Sequence, residues 1–414
     1  MNEVQAAAAR CREAARALAS LSSETKDAVL RTLAASIRNA AADVLAANAR
    51  DLHTSKASGL ADAKLKRLEL SQASLGQMAA GIEQVADMPD PVGRVTRDEP
   101  VPSGLRVQKV RMPLGVIAMI YEARPGVTVD AFSLCFKAGN ACLLKGGREA
   151  AATNDALLAL IRDALRAHGC PESAVELVTT SDRDQIRAML TLTESIDLVI
   201  PRGGEALIRF VHEHARVPTI QHFHGVCHVY VDRAADLDTA LEIVATGKTS
   251  APATCNATEC ALIHADVADR FVPMLAERAA RDGFELRGDA SAAALADTIV
   301  PAKPDDFGHE FLDSVLAVAV VGSVDAACTH IARYGSDHTE AIVSEDAAAC
   351  DRFVAGVGSS CVLVNASTRF NDGFQLGLGA EIGISTSRIH AYGPMGLEEL
   401  TIERYVVTGS GQTR

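Results

Sequence analysis

Residues 115–123 read "GVIAMIYEA", an apolar run that ends in the loop "YEARPG" (121–126) and passes into the helix-patterned stretch "VDAFSLCFKAG" (129–139). A strand with one face in water would carry a polar residue at every second position. This one does not, so both faces must be covered. The alternation continues through "ACLLKGG" (141–147), "NDALLALIRDALRAHG" (154–169), "AVELVTT" (174–180) and "IDLVIPRGG" (196–204). Strand, helix and strand in this order predict a doubly wound parallel sheet.

A second round follows Cys227. It runs through "HVYVD" (228–232), a helix from about 236, "CALIH" (260–264), a helix over 267–283, "VLAVAVV" (315–321), "EAIVS" (340–344) and "CVLVN" (361–365). The first 87 residues are alanine-rich, with apolar residues three and four apart, which predicts a helical opening. Residues 93–112 alternate around a Pro-Ser-Gly break and suit a two-stranded excursion, and the terminal "TIERYVV" (401–407) is a strand in need of a partner sheet. The expected fold class is therefore α/β, with two doubly wound domains and a small β element. Residues 1–92 and 113–225 form the first domain, 226–394 the second, and 93–112 with 395–414 the β element.

Composition narrows the function. The formal charge of −13 gives no general attraction for nucleic acid or an anionic membrane surface, so any phosphate must meet local cations. No segment has the ~18 consecutive apolar residues of a membrane span, and the N-terminus scatters charges through its alanines, unlike a signal peptide. A cytoplasmic enzyme is the expectation. Ten cysteines spread over 414 residues, several inside apolar runs, read mostly as small buried hydrophobes.

Ligands of a doubly wound sheet bind beyond the carboxyl ends of its strands, which singles out 121–126, "KGGREA" (145–150) and "PRGGEA" (201–206). "KGGR" offers two glycines with Lys145 and Arg148, either a phosphate site or a plain strand-to-helix turn. "PATCNATEC" (252–260) holds two cysteines with four residues between them, wider than a redox pair. A structural zinc site needs four ligands, and no second Cys/His pair stands at ligand spacing, though His222, His224 and His228 lie upstream. No metal is expected. Cys255 follows a small polar loop, whereas Cys260 opens an apolar strand, so of the two only Cys255 reads as reachable: a nucleophile, or an inert loop cysteine.

Taken together, "MPLGVIAMIYEARPGVTVDA" (112–131), "GNACLLKGG" (139–147), "IDLVIPRGG", "PATCNATE", "YGSDHTEAIV" (334–343), "VNASTRFNDG" (364–373), "GLGAEIGIST" (377–386) and "GPMGLEELT" (393–401) resemble the gamma-glutamyl phosphate reductases, a branch of the aldehyde dehydrogenase superfamily. The resemblance implies an aldehyde-dehydrogenase-like fold and NADPH-dependent reduction of L-glutamyl 5-phosphate to L-glutamate 5-semialdehyde in proline biosynthesis. It implies Cys255 as the nucleophile, with the Cys255 backbone N–H and Asn256 as candidate oxyanion donors. Lys145 and Gly146 match the adenosine-ribose contact, Gly203 and Gly204 the pyrophosphate turn, and Glu310 the nicotinamide-ribose glutamate. Arg148 stands where many NAD-using relatives carry an acid, which suits the extra phosphate of NADP/NADPH.

Arg124 and Arg369 are the expected substrate cations, for phosphate or α-carboxylate. The region before the cysteine has no general-base glutamate of the hydrolytic kind, and Glu259 reads as structural. Tyr392 departs from the arginine that many relatives have. The resemblance also implies a homodimer or homotetramer built on the β element, with the upstream glutamate kinase as a partner. Two other classes stay open on the residues alone: a thiol hydrolase pairing Cys255 with a histidine, and a non-catalytic assembly protein.

Overall fold

The computed structural model describes residues 2–414. Five helices open the chain: Glu3–Leu18, Ser23–Asn39, Ala41–Ala57, Asp62–Leu68 and Gln72–Asp87. The first begins at a capping box, in which Gln5 N donates to Asn2 Oδ1 at 2.9 Å and Asn2 N donates to Gln5 Oε1 at 3.1 Å. It buries Val4, Ala7, Cys11, Ala14 and Leu18, one stripe of a 3.6-residue period. β1 (Val95–Pro100) and β2 (Arg106–Pro113) then pair antiparallel, and the terminal strand Thr401–Thr408 pairs with the other side of β2. Its Tyr405 and Val407 are exposed apolar residues on an edge strand.

The chain divides into two compact units. One runs through Gln221 and takes back Gly377–Gly383 and Met395–Arg414; the other holds His222–Leu376 and Ile384–Pro394. The β element thus counts with the first unit, and the division falls at 221/222 where the sequence suggests 225/226. The first unit's parallel sheet comprises β3 (Val116–Tyr121), β4 (Ala141–Lys145), β5 (Val175–Leu177) and β6 (Leu198–Arg202), in the order β5-β4-β3-β6. Every residue of β3 and β4 is buried, which accounts for their unbroken apolar runs. Strand order reverses between β3 and β6, so the loops after them flank the switch point.

The second unit is a seven-stranded parallel sheet of β7 (Cys227–Val231), β8 (Thr258–His264), β9 (Glu285–Gly288), β10 (Val300–Pro301), β11 (Val315–Val321), β12 (Thr339–Val343) and β13 (Cys361–Val364). The order is β10-β9-β11-β8-β7-β12-β13. Side-chain alternation divides two cores between its faces. Val229, Val231, Ala261, Ile263, Val318 and Ala341 face one way, and Tyr230, Cys260, Leu262, Ala317 and Ile342 the other. β9 and β10 escape the sequence pattern because they are short and carry exposed residues.

One buried ion pair ties this unit's parts together. Lys248, near the end of helix Leu237–Thr249, donates to Glu259 on β8 at 2.7 Å, and both side chains are wholly buried. Lys248 Nζ also donates to the Asp313 carbonyl at 3.1 Å, while Leu312 N donates to Glu259 Oε1 at 3.4 Å. Burial pushes the Glu259 carboxyl up to about 7 against the pull of Lys248. Removing one partner strands the other charge in the core. Lys248→Met should therefore cost about 3–5 kcal/mol, and Lys248→Met/Glu259→Leu should recover much of it, measured as denaturant midpoints.

Candidate active site

In the second unit the chemistry-bearing residues gather where the strands begin. Cys255 lies in the loop entering β8, Gly225 precedes β7, Glu310 precedes β11, and His338 immediately precedes β12. Cys255 is half-buried, whereas Cys260 is fully buried and its thiol is pushed well above the ordinary range by burial. The structure thus separates the two cysteines as their sequence settings suggest. Among the described residues no disulfide forms.

The segment 367–371 braces the cysteine loop. Arg369 Nη1 donates to Thr254 Oγ1 at 2.8 Å, one residue from Cys255. Asn256 Nδ2 donates to the carbonyl of Asn371 at 3.0 Å and to that of Arg369 at 3.4 Å. Both amide hydrogens of Asn256 thus meet backbone carbonyls of the 367–371 segment and hold the loop. Arg369 thereby brings a guanidinium to the Cys255 loop.

Gly225 is the pivot beneath the cysteine. A Cβ built there would fall 1.9 Å from the Cys255 carbonyl oxygen, so only glycine fits this backbone approach. Gly225 N donates to Glu310 Oε1 at 2.8 Å, and Cys227 Sγ donates to the Cys255 carbonyl at 3.2 Å. Glu310 therefore stands one residue's width from the cysteine backbone. Glu259, the carboxylate nearest Cys255 in sequence, is held by Lys248 and the Leu312 N–H. His222 and His338 come to Cys255 from distant parts of the chain, and their ligand atoms lie within 4.8 Å of one another and of its sulfur. At the Tyr392 position, Tyr392 Oη and Arg388 Nη2 both donate to the Gly358 carbonyl, with the guanidinium 5.3 Å over the ring.

In the first unit the predicted cofactor residues stand at the carboxyl ends of β4 and β6. Lys145 is nearly buried, its amine donates to the Gly146 carbonyl at 2.7 Å, and burial lowers its pKa. A Cβ on Gly146 would meet Asn154 Nδ2 at 2.3 Å, and one on Gly147 would meet Glu149 Oε1 at 2.1 Å. A side chain at Gly146 would thus displace the buried Asn154 amide, and one at Gly147 the Glu149 carboxylate. Arg148 is exposed, and Gly204 caps helix Glu205–His214 with open space where its Cβ would be. Gly204 N donates to Glu122 Oε2 at 3.3 Å. A Cβ on Gly203 would meet Leu207 Cδ2 at 2.7 Å.

Arg124 is exposed in the loop after β3, and Ala123 N in that loop donates to Glu149 Oε1 at 2.7 Å. Glu149 thereby fixes the turn that presents Arg124. The sequence reading missed Gly225, Glu149 and His338. Gly225 carries no motif of its own, and His338 is visible only as part of "YGSDHTEAIV".

The aldehyde dehydrogenase family model matches residues 1–290. Gamma-glutamyl phosphate reductase from Xanthomonas axonopodis pv. citri is 52% identical over 411 residues, 99% of either chain. That from Xylella fastidiosa is 51% identical over the full length of both. The crystal structure of gamma-glutamyl phosphate reductase from Thermotoga maritima superposes with a TM-score of 0.98 at 39% identity, covering 100% of each chain. Gly225→Ala offers a direct test of the pivot. The added methyl forces the Cys255 backbone to move, and activity should fall at least about 100-fold while the far-UV dichroism stays that of the wild type.

Proposed function

The chain belongs to the aldehyde dehydrogenase family, in its gamma-glutamyl phosphate reductase branch, and from that premise we propose that it reduces L-glutamyl 5-phosphate to L-glutamate 5-semialdehyde, releasing phosphate, in proline biosynthesis. The observation that carries this reading is the setting of Cys255, a half-exposed thiol on a loop braced by Arg369, with its nearest carboxylate in sequence locked to a buried lysine. A base able to activate water would hydrolyse an acyl-enzyme. Glu259, held by Lys248, is not available for that role.

The Cys255 thiolate attacks the acyl carbon of the acyl phosphate. The carbon–oxygen bond to phosphate breaks, and a thioacyl group remains on Sγ. The Cys255 backbone N–H donates to the oxyanion that forms on the acyl oxygen, in the position that Gly225 and the 367–371 segment hold. Asn256 serves by keeping that N–H in place. Arg124 and Arg369 bind the phosphate and α-carboxylate, two planar or tetrahedral anions suited to guanidinium forks. After reduction, the thiohemiacetal on Cys255 loses its hydroxyl proton, the carbon–sulfur bond breaks, and the aldehyde leaves with the thiolate regenerated.

Family membership implies a nicotinamide cofactor, which when bound supplies the hydride. We assign it as NADPH. Lys145, Arg148 and the close turn at Gly146 and Gly147 suit an adenosine ribose carrying an extra phosphate, and the open space beside Gly204 leaves room for the pyrophosphate. Glu310, held by the Gly225 N–H, binds the nicotinamide ribose. The exposed apolar edge at Tyr405 and Val407 supports a homodimer or homotetramer. Among the described residues no helix is long and apolar enough to cross a membrane.

The test follows NADPH absorbance in the reverse direction with glutamate semialdehyde, phosphate and NADP. Phosphate-dependent NADPH formation is expected, reduced about 10,000-fold or more in Cys255→Ala and largely kept in Cys260→Ala. Activity that survives in Cys255→Ala sinks the mechanism, and activity without phosphate sinks the reaction. In the same assay Arg148→Glu should raise KM for NADP more than for NAD; equal effects would remove Arg148 from the 2′-phosphate site.

A further inference from the structure

Each cysteine of "PATCNATEC" has its own pair of histidines in the folded chain. Cys255 meets His222 and His338, and Cys260 meets His228 and His330, with the ligand atoms of each trio within 4.8 Å of one another. Sequence spacing excluded a zinc clip between the two cysteines and could not see these trios, because their members lie up to 116 positions apart (222 to 338).

The histidines beside Cys255 are prepared as ligands. His222 Nδ1 lies 2.9 Å from the Ile384 carbonyl, which only accepts, so Nδ1 carries a hydrogen. His338 Nδ1 lies 2.7 Å from Thr339 Oγ1, and its Nε2 is buried without a hydrogen-bond partner. For His338, an outer nitrogen held by a hydroxyl and an unpartnered inner one is the arrangement metal-binding imidazoles show. Thr339 is itself held by Asn371 Nδ2 at 2.7 Å, so this outer contact is part of the brace around the cysteine loop.

We propose that His222, Cys255 and His338 form a binding site for a soft divalent cation, zinc above all, that caps the nucleophile and switches the enzyme off reversibly. Two imidazoles and a thiolate match zinc's preferred donors, with a fourth position left to water. Bonds of about 2.0–2.3 Å to one ion place tetrahedral ligand atoms about 3.3–3.7 Å apart, a modest closure from the observed spacing. On binding, the Cys255 S–H bond breaks, its proton passes to solvent and the sulfur lone pair fills the coordination bond. Nothing is oxidised or reduced, a chelator reverses the step, and affinity rises with pH as the proton is lost more easily.

The Cys260 trio is the internal rival. His228 Nδ1 lies 2.9 Å from Glu340 and its Nε2 is also unpartnered, but Cys260 and His228 are wholly buried in the sheet. Cys255 and His222 are half-exposed, which gives an ion a way in from solvent. Only the switching half of the proposal rests on Cys255 being the reductase nucleophile.

The test titrates chelator-treated full-length enzyme with Co²⁺ as a spectroscopic probe, with Zn²⁺ in competition, and follows thiolate-to-metal charge-transfer absorbance beside reductase activity. One equivalent should bind, with activity lost in step and restored by EDTA. His222→Ala and His338→Ala should each weaken binding at least about tenfold, and Cys255→Ala should abolish the band, while His330→Ala leaves it unchanged. His338 is fully buried, so His222→Ala carries the test if the other variant does not fold. The proposal is overturned if wild type gives no band, if the band survives in Cys255→Ala, or if it is lost in His330→Ala instead. A wild type that binds no metal while Cys255→Ala is inactive defeats this inference alone. A Cys255→Ala enzyme that keeps its activity defeats the reductase reading instead.

Discussion

The buried ion pair between Lys248 and Glu259 is the constraint on which the second unit depends. It joins a helix end, the first residues of β8 and the 312–313 turn. Two charges in a dry core are costly to desolvate, and a pair of that kind persists where it fixes geometry that apolar packing would leave loose. Here the geometry is that of Cys255, four residues before Glu259, and of Glu310, two residues before Leu312. Glu259, the carboxylate nearest Cys255 in sequence, is thereby held as a structural part.

Around that anchor, contacts of different kinds converge on one backbone segment. Gly225 approaches the Cys255 carbonyl too closely for any side chain, Asn256 is tied to 369 and 371, and Arg369 reaches back to Thr254. Each restrains position more than it adds stability. An oxyanion donor works only if it already points where charge will develop, and a backbone N–H is as fixed as the loop that carries it.

Much of the architecture was legible in the sequence because buried parallel strands leave unbroken apolar runs, as in β3, β4, β8 and β11, and amphipathic helices leave stripes. β9 and β10 were not legible, being too short for any period to register. Cys255 could be chosen over Cys260 because loop and strand textures differ, and the resemblance then supplied its role. What sequence could not give was the company each residue keeps. Doubly wound sheets direct attention to the carboxyl ends of strands, where Lys145 and Gly204 stand. In the second unit the cysteine, both histidines and Glu310 collect at the opposite edge. Asn256 looked chemical beside Cys255 in sequence, and only the fold shows its amide bonded to the carbonyls of Arg369 and Asn371.

The central claim is that Cys255 carries the acyl group between phosphate and aldehyde. Rapid-quench mass spectrometry of the enzyme mixed with glutamate semialdehyde and NADP, without phosphate, tests it most directly. The account predicts a glutamyl adduct on the peptide bearing Cys255 that disappears when phosphate is added. An adduct on another cysteine, or turnover with Cys255 unmodified throughout, would contradict it.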